Sequence, residues 1–403
     1  DLSIVESKTT EPMGAGPYKF IKYENKIVYY EANENYYKGQ PITKYLQLKE
    51  TTDAEMIAGV GAGEIDIANP SGSVAKFEEL KAYNSNKEAV GDVITANSVD
   101  NLGYGYIGIN AVNVNVAGEP GSEASKNLRK GFATVYAVYR DVAIDSYYGD
   151  AANVINYPIS NTSWAAPQKA DAGYEVAFSK DVEGNPIYTV DMVADSKYDA
   201  ALEAAKGFFI AAGYTFDEAT GKFTAAPAGA KLEYEVIVPG DGQGDHPAFA
   251  ILADTRAALE KIGITLTIND PSDTNVLWDS IDANTHEMWT AAWGSTIDPD
   301  MYQVYHSSNG VGLGGTDSNN YNIADPLLDE LIVEARQSAD QAFRKATYKQ
   351  ALDIILDWGV EVPNYQRQNL VIFSTERVNM DTVTPDITTY WGWMHDIELL
   401  QMN

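Results

Sequence analysis

Cysteine is absent from the 403 residues and histidine occurs only four times. The first absence removes disulfides, thiolate metal sites, Cys-x-x-Cys redox chemistry and cysteine nucleophiles together. The histidines, at 246, 286, 306 and 395, are too scattered for a zinc motif. Basic residues are scarce: 28 Lys and Arg face 58 Asp and Glu, a formal charge of −30. With no cationic excess to displace counterions, nucleic acid and anionic membrane surfaces are poor partners. No run of 18 apolar residues occurs, and residues 1–20 lack a basic-then-apolar leader, so the chain as given shows neither a membrane span nor an export peptide. No GxSxG, HExxH, P-loop or GxGxxG motif is read in the chain. The abundance of carboxylates says nothing about acid–base catalysis, because some pair will always be close. Disorder is excluded by an 11% aromatic content that includes 26 Tyr.

What is present is aromatic and β-branched sequence broken by turn signals. After Gly14-Ala-Gly-Pro17, the runs Tyr18–Tyr23 and Lys26–Glu31 flank Glu24-Asn25 and predict a β-hairpin. Tyr45–Lys49 reads as a strand, Thr52-Asp-Ala-Glu55 as a helix start, and Gly63–Ile67 as a short buried strand. Ser125 is read as the N-cap of a helix carrying Leu128, Phe132, Val135, Tyr136 and Tyr139 on one face. Residues 156–198, with Pro158, Pro167 and Pro186, fit a long surface connection. Tyr234–Val238, a helix opened by Asp245-His246-Pro247, and Ile264–Ile268 form a β-α-β unit. Asp325-Pro326 opens another helix, one more follows through Phe343 and Ile355, Pro363 ends that region, and Leu370–Phe373 is the last clear strand. The fold class is α/β, with mixed sheets flanked by helices.

Six stretches, in order, resemble the extracytoplasmic solute-binding proteins of the peptide/nickel ABC-importer family. Gly14–Phe20 with Glu31–Gly39 is similar to the family's GxGPYxF…ExNxxYxxG stretch, and Gly63–Ile67 to its xGEIDI strand. Leu128–Ala133 with Arg140-Asp141 is similar to its VRqAlayAiDR helix. The Trp293–Asp300 loop, Ala335-Arg336 and Val362–Tyr365 complete the series. The resemblance implies a periplasmic-binding-protein-like type II fold of two lobes. Residues 1–100 and the return segment 366–403 would belong to a first lobe that is incomplete here, and 101–365 to the second. The crossings near 99–112 and 360–372 would be the hinge. The family's signal peptide and lipid-bearing cysteine would precede this chain.

The implied function is the substrate-binding component of an ABC importer. It would capture short peptides between two closing lobes and deliver them to the membrane permease, with no catalytic activity, no cofactor and no metal. The protein is expected to be an extracytoplasmic monomer, periplasmic or a cell-surface lipoprotein. An oligosaccharide-binding member of the family is the runner-up, and nickel or haem ranks below it for want of clustered ligands. An acidic carbohydrate-active enzyme is the alternative class.

Ligand contacts are expected on the crossings and on loops facing the cleft. Asn101–Asn110 offers Tyr104 and Tyr106 as aromatic walls and Asn110 at its end; the alternative is a glycine-rich strand under a sheet. In peptide-binding relatives a WxADYPDP loop supplies an Asp to the ligand's α-amino group. Here Trp293 is followed by Thr296 and Ile297, and the first acid is Asp298, which either takes that role or caps the helix through Met301, Tyr302 and Tyr305. Tyr365 and Arg367 lie on the second crossing, where Arg367 is a bidentate partner for a ligand carboxylate or an ordinary ion-pair residue. Tyr390 and Trp391 offer flat faces in the tail, or ordinary core. Asp241-Gly-Gln-Gly-Asp245 alternates carboxylates but lacks the closing Glu of a calcium loop.

Overall fold

The first three strands show how locally the elements are specified. Tyr18–Glu24, Ile27–Ala32 and Tyr45–Lys49 form an antiparallel sheet. Asn25 and Lys26 turn the hairpin at φ of 53° and 62°, the left-handed pair that a two-residue primed turn requires. The computed structural model describes Ile4 and residues 8–403; residues 1–3 and 5–7, at the head of the expected first-lobe segment, lie outside the described residues.

The chain divides into two compact units, Asp1–Asn101 with Gln368–Asn403, and Leu102–Arg367. In the first, the amide of Thr52 donates to Glu55 Oε2 at 3.3 Å, half of a capping box that starts the Asp53–Gly61 helix. Gly63 does not open a strand: it turns the chain at φ +72°, and the extended segment shrinks to Ile67–Ala68. Ile94–Asp100 pairs antiparallel with Gln368–Ser374. The two-residue period of that strand sends Leu370 and Ile372 to a core with Ile57, Val60, Leu80 and Ile94. Val371 and Phe373 point the other way, to Val378, Ile397 and Leu400.

In the second unit the sheet order is Thr265–Asn269, Glu233–Ile237, Met288–Trp293, Tyr104–Ile109 and the start of Glu361–Ser374. The first three strands run parallel to one another, joined through the Phe249–Lys261 and Asn275–Asp282 helices; the remaining pairings are antiparallel. Ile107 and Ile109 face one large apolar core, in which Phe132 meets Phe209 and Tyr234 with ring centroids 5.2 and 5.1 Å away. Tyr104 and Tyr106 face the other.

Several further boundaries differ from expectation. Ser122, not Ser125, caps the Glu123–Val138 helix, accepting from the Ser125 amide at 3.2 Å, while the Ser125 hydroxyl donates to the Glu119 carbonyl. Ala194–Ala211 is a helix beginning inside the expected connection, its buried face made of Ala201, Ala204, Ala205, Phe208 and Phe209. Pro247 does not open its helix, which starts at Phe249. The amides of Gly240, Gly242 and Gly244 donate to the Asp270 carboxylate at 2.9, 3.1 and 2.7 Å, so the glycine loop with the alternate acids closes on the chain's own carboxylate. Pro363 does not end its region but lies within Glu361–Ser374, where a register shift before Tyr365 relieves the ladder of the missing N–H.

Candidate ligand-binding site

The site is built on the glycine-rich strand Tyr104–Ile109. Every residue of it is buried, and it is paired on one edge with Met288–Trp293 and on the other with Glu361–Tyr365. Its glycines are needed for close approach: a Cβ at Gly103 would stand 2.0 Å from the Trp293 carbonyl oxygen, and one at Gly108 would stand 2.4 Å from the Trp289 ring. Gly103, Gly105 and Gly108 do have the GxGxxG spacing of a dinucleotide-binding fingerprint, contrary to the expectation that the chain carries none. Here the run is a strand paired on both edges, not a strand-to-helix turn, so no helix N-terminus is presented to a phosphate.

On the exposed end of this strand pair, Tyr104, Trp293 and Tyr305 line a cavity of about 180 Å³. Pro158, Ile159, Met301 and Val304 supply further apolar wall, and Ser160, Ser163, Ser295 and Thr296 supply hydroxyls. The aromatic floor is rigidly tied. Tyr106 stacks on Trp293 at 6.0 Å and 9°, Trp289 Nε1 donates to the Tyr106 hydroxyl at 3.2 Å, and Trp293 Nε1 donates to that of Tyr321 at 3.0 Å. The Tyr104 and Tyr305 hydroxyls are 3.1 Å apart, and Tyr305 donates to Glu361 Oε2 at 2.6 Å. Glu361 is fully buried beneath the floor. Burial pushes its carboxyl up to about 7, against hydrogen bonds from Tyr305, Tyr321 and Tyr104 that act the other way. Burial also raises the Tyr104 and Tyr305 phenols, so they remain neutral donors.

Two carboxylates reach the cavity wall, and each already has a cation. Asp298 Oδ1 accepts from Arg344 Nη2 at 2.7 Å, and Asp300 meets Arg336 Nε at 3.1 Å. The two pairs differ in exposure. The Arg344 side chain is 13% exposed, with its guanidinium 5.3 Å from the Trp164 ring centroid and 5.6 Å from that of Tyr348, and its partner Asp298 is 58% exposed; Arg336 is 46% exposed, 4.5 Å from the Tyr302 ring centroid, and its partner Asp300 is 34% exposed. Asp298 does not cap the helix beyond it; the Tyr302 amide donates to Asp300 at 3.0 Å. The Thr296 hydroxyl is spent on the Asp298 carbonyl at 2.7 Å.

Of the residues singled out in the sequence, Tyr104, Trp293, Thr296 and Asp298 come together at this cavity. Tyr106 lies one layer below it. Asn110 is fully buried in a knot with Asn284, His286 and Asn322, which accounts for its amide without a ligand. Tyr365 packs over Gly105 and against Tyr148, on the opposite face of the strand. Arg367 pairs in register with Ala152 near the end of this unit. Tyr390 and Trp391 belong to the other unit and are not core: they are 44% and 45% exposed, with Trp391 stacked on His395 at 4.1 Å. Sequence reasoning missed Tyr305, Arg344 and Glu361. Glu361 carried a signal, a lone acid in the apolar run Val360-Glu-Val362; Arg344 carried none, being 46 positions from its partner. Among the described residues no three His, Asp or Glu side chains gather as a metal site.

The sequence over residues 4–314 matches the family described as bacterial extracellular solute-binding proteins, family 5 Middle, and the chain belongs to that family. Di/tripeptide-binding protein 2 of Pseudomonas aeruginosa is 23% identical over 380 residues, covering 92% of this chain. This chain spans 58% of that relative's length. Among solved structures, the oligopeptide-binding protein AppA of Bacillus subtilis, in complex with a nonapeptide, has a TM-score of 0.71 at 18% identity, covering all of this chain and 69% of AppA. NikZ of Campylobacter jejuni, in complex with Ni(L-His), also has a TM-score of 0.71, at 19% identity, covering all of this chain and 72% of NikZ. The fold is that of type II periplasmic binding proteins. Among the described residues no helix is long and apolar enough to cross a membrane.

Proposed function

We propose that this chain is the solute-capturing part of an ABC importer, taking a short peptide outside the membrane and passing it to a permease without a chemical step. The observation that carries this reading is the aromatic-floored cavity at the ends of Tyr104–Ile109 and Met288–Trp293. It combines rigid apolar faces with hydroxyls, which holds a small solute by burial and orients it by hydrogen bonds. The family supports a solute-binding role, and the peptide named for the Pseudomonas relative and for AppA supports the ligand class. An extracytoplasmic, lipid-anchored or periplasmic protein acting as a monomer belongs to the same proposal. A second reading, an oligosaccharide ligand, is favoured by one observation: both wall carboxylates are charge-compensated within the chain, while Tyr and Trp faces remain.

A thermal-shift panel on the full-length protein tests both, using di- to hexapeptides, cello-oligosaccharides and a nickel salt. A specific solute at a hundredfold over its Kd adds about 2.7 kcal/mol of stability. A melting temperature raised by peptides alone supports the first reading, a response to sugars alone moves the ligand to the second, and a response to nickel alone removes both.

A further inference from the structure

The Asp298–Arg344 pair fixes what kind of group this wall accepts. In the plainest peptide scheme the carboxylate would meet a ligand ammonium. Here Oδ1 already accepts from a guanidinium whose position is set by other contacts: the Trp164 and Tyr348 rings flank it, and Nη2 also reaches the Tyr348 hydroxyl at 3.1 Å. At a carboxylate that is itself 58% exposed, an incoming ammonium competes with a cation that is tethered and stacked, so the ordering cost of that partner is already met by the fold. The neighbouring Thr296 supplies no second anion, and its hydroxyl is committed to the backbone. The other wall acid, Asp300, is matched by Arg336.

We infer that the end of the solute lodged against Asp298 is uncharged, a neutral hydrogen-bond donor such as an amide N–H or a hydroxyl backed by the aromatic floor, and that Arg344 is the specificity-determining residue that excludes a free amine. The inference rests on the solute-binding reading above and sharpens its ligand class. Asp298 keeps acceptor capacity on Oδ2 for such a donor, but its charge is spent. A peptide accepted here enters with its amino terminus blocked or directed elsewhere; a sugar enters without restriction.

The test is isothermal titration of the full-length protein with three probes: Ala-Ala-Ala, N-acetyl-Ala-Ala-Ala-amide and cellotriose. The wild type is expected to bind the acetylated peptide, or the sugar, at least tenfold more tightly than the free-amine peptide. Arg344→Gln, which leaves Asp298 without its cation, is expected to gain at least tenfold for Ala-Ala-Ala and little for its acetylated twin. An undiminished affinity of Arg344→Gln for N-acetyl-Ala-Ala-Ala-amide shows that this variant is folded, and a folded Arg344→Gln that gains nothing for Ala-Ala-Ala overturns the inference. Binding of cellotriose alone overturns the peptide reading and upholds the uncharged end. Wild-type preference for the free amine, lost in Asp298→Asn, overturns the inference and leaves the peptide reading standing. Binding of none of the three overturns it as well, since the wall then takes no uncharged solute of either class.

Discussion

The aromatic floor of one unit and a set of aromatics in the other are treated in opposite ways. In Leu102–Arg367 the floor is interior: Tyr104, Tyr106, Trp289, Tyr305 and Tyr321 are at most 5% exposed, cross-linked by their own hydroxyls and indole N–H groups. In the other unit Tyr23, Tyr37, Tyr45, Tyr390 and Trp391 are all more than 40% exposed. The same side chain thus serves as a buried floor in one place and as an exposed face in the other. What separates them is not composition but depth: the floor rings are enclosed on a sheet face with their polar tips bonded to one another, while the others stand at the surface.

The contrast is broken most directly by truncation. Trp289→Ala is expected to cost about 3–5 kcal/mol, the range for deleting a fully buried aromatic, whereas Tyr37→Ala is expected to stay within about 0.5 kcal/mol. Urea unfolding of the two variants measures both, and equal costs would remove the distinction. Glu361 gives the next largest effect. Its carboxyl titrates at about 7 in the fold against an ordinary 4.5. Between those values the folded chain keeps a proton that the unfolded chain has released, so stability falls as pH rises through the window, by on the order of 3 kcal/mol. Glu361→Gln is expected to flatten this part of the pH profile of the melting temperature; an unchanged slope would show that the floor is not tied to a buried acid.

Smaller effects sharpen the comparison at single atoms. Gly108→Ala forces a methyl toward the Trp289 ring and is expected to cost about 1–3 kcal/mol, while Gly294→Ala, with nothing within 4 Å of its added carbon, is expected to be near neutral. Calorimetry of the pair checks whether the strand needs its glycines for space. Asp340→Ala removes the acceptor of the Ala342 and Phe343 amides, at 2.9 and 3.2 Å, and is expected to lower stability by about 1 kcal/mol without touching the site.

The sequence made legible whatever is specified over short range. The first hairpin, its turn one residue later at Asn25-Lys26 than the expected Glu24-Asn25, the Asp325 cap and the parallel pairing of Glu233–Ile237 with Thr265–Asn269 all follow from neighbours in the chain or from pattern. Where it misled, a distant partner decided the outcome. The glycine loop at 240–244 folds onto Asp270 instead of leading straight into a helix, and Pro363 is carried inside a strand by a register shift. The site shows the same division. Tyr104 could be singled out from the glycine-rich crossing, and Trp293 from the resemblance of its loop to that of the peptide-binding relatives. The neutralisation of Asp298 by Arg344 and the tie of Tyr305 to Glu361 join residues 46 and 56 positions apart, and only the packed helix and strand bring them together.

The account stands on the cavity floored by Tyr104, Trp293 and Tyr305 being where solute is held. Isothermal titration of the full-length protein and its Trp293→Ala variant, with the solute that gives the largest thermal shift, tests this most directly. The predicted result is an affinity at least about 30-fold weaker in the variant, the loss of a central aromatic anchor, at a melting temperature that still reports a folded protein. Undiminished affinity in a folded Trp293→Ala variant would contradict the account.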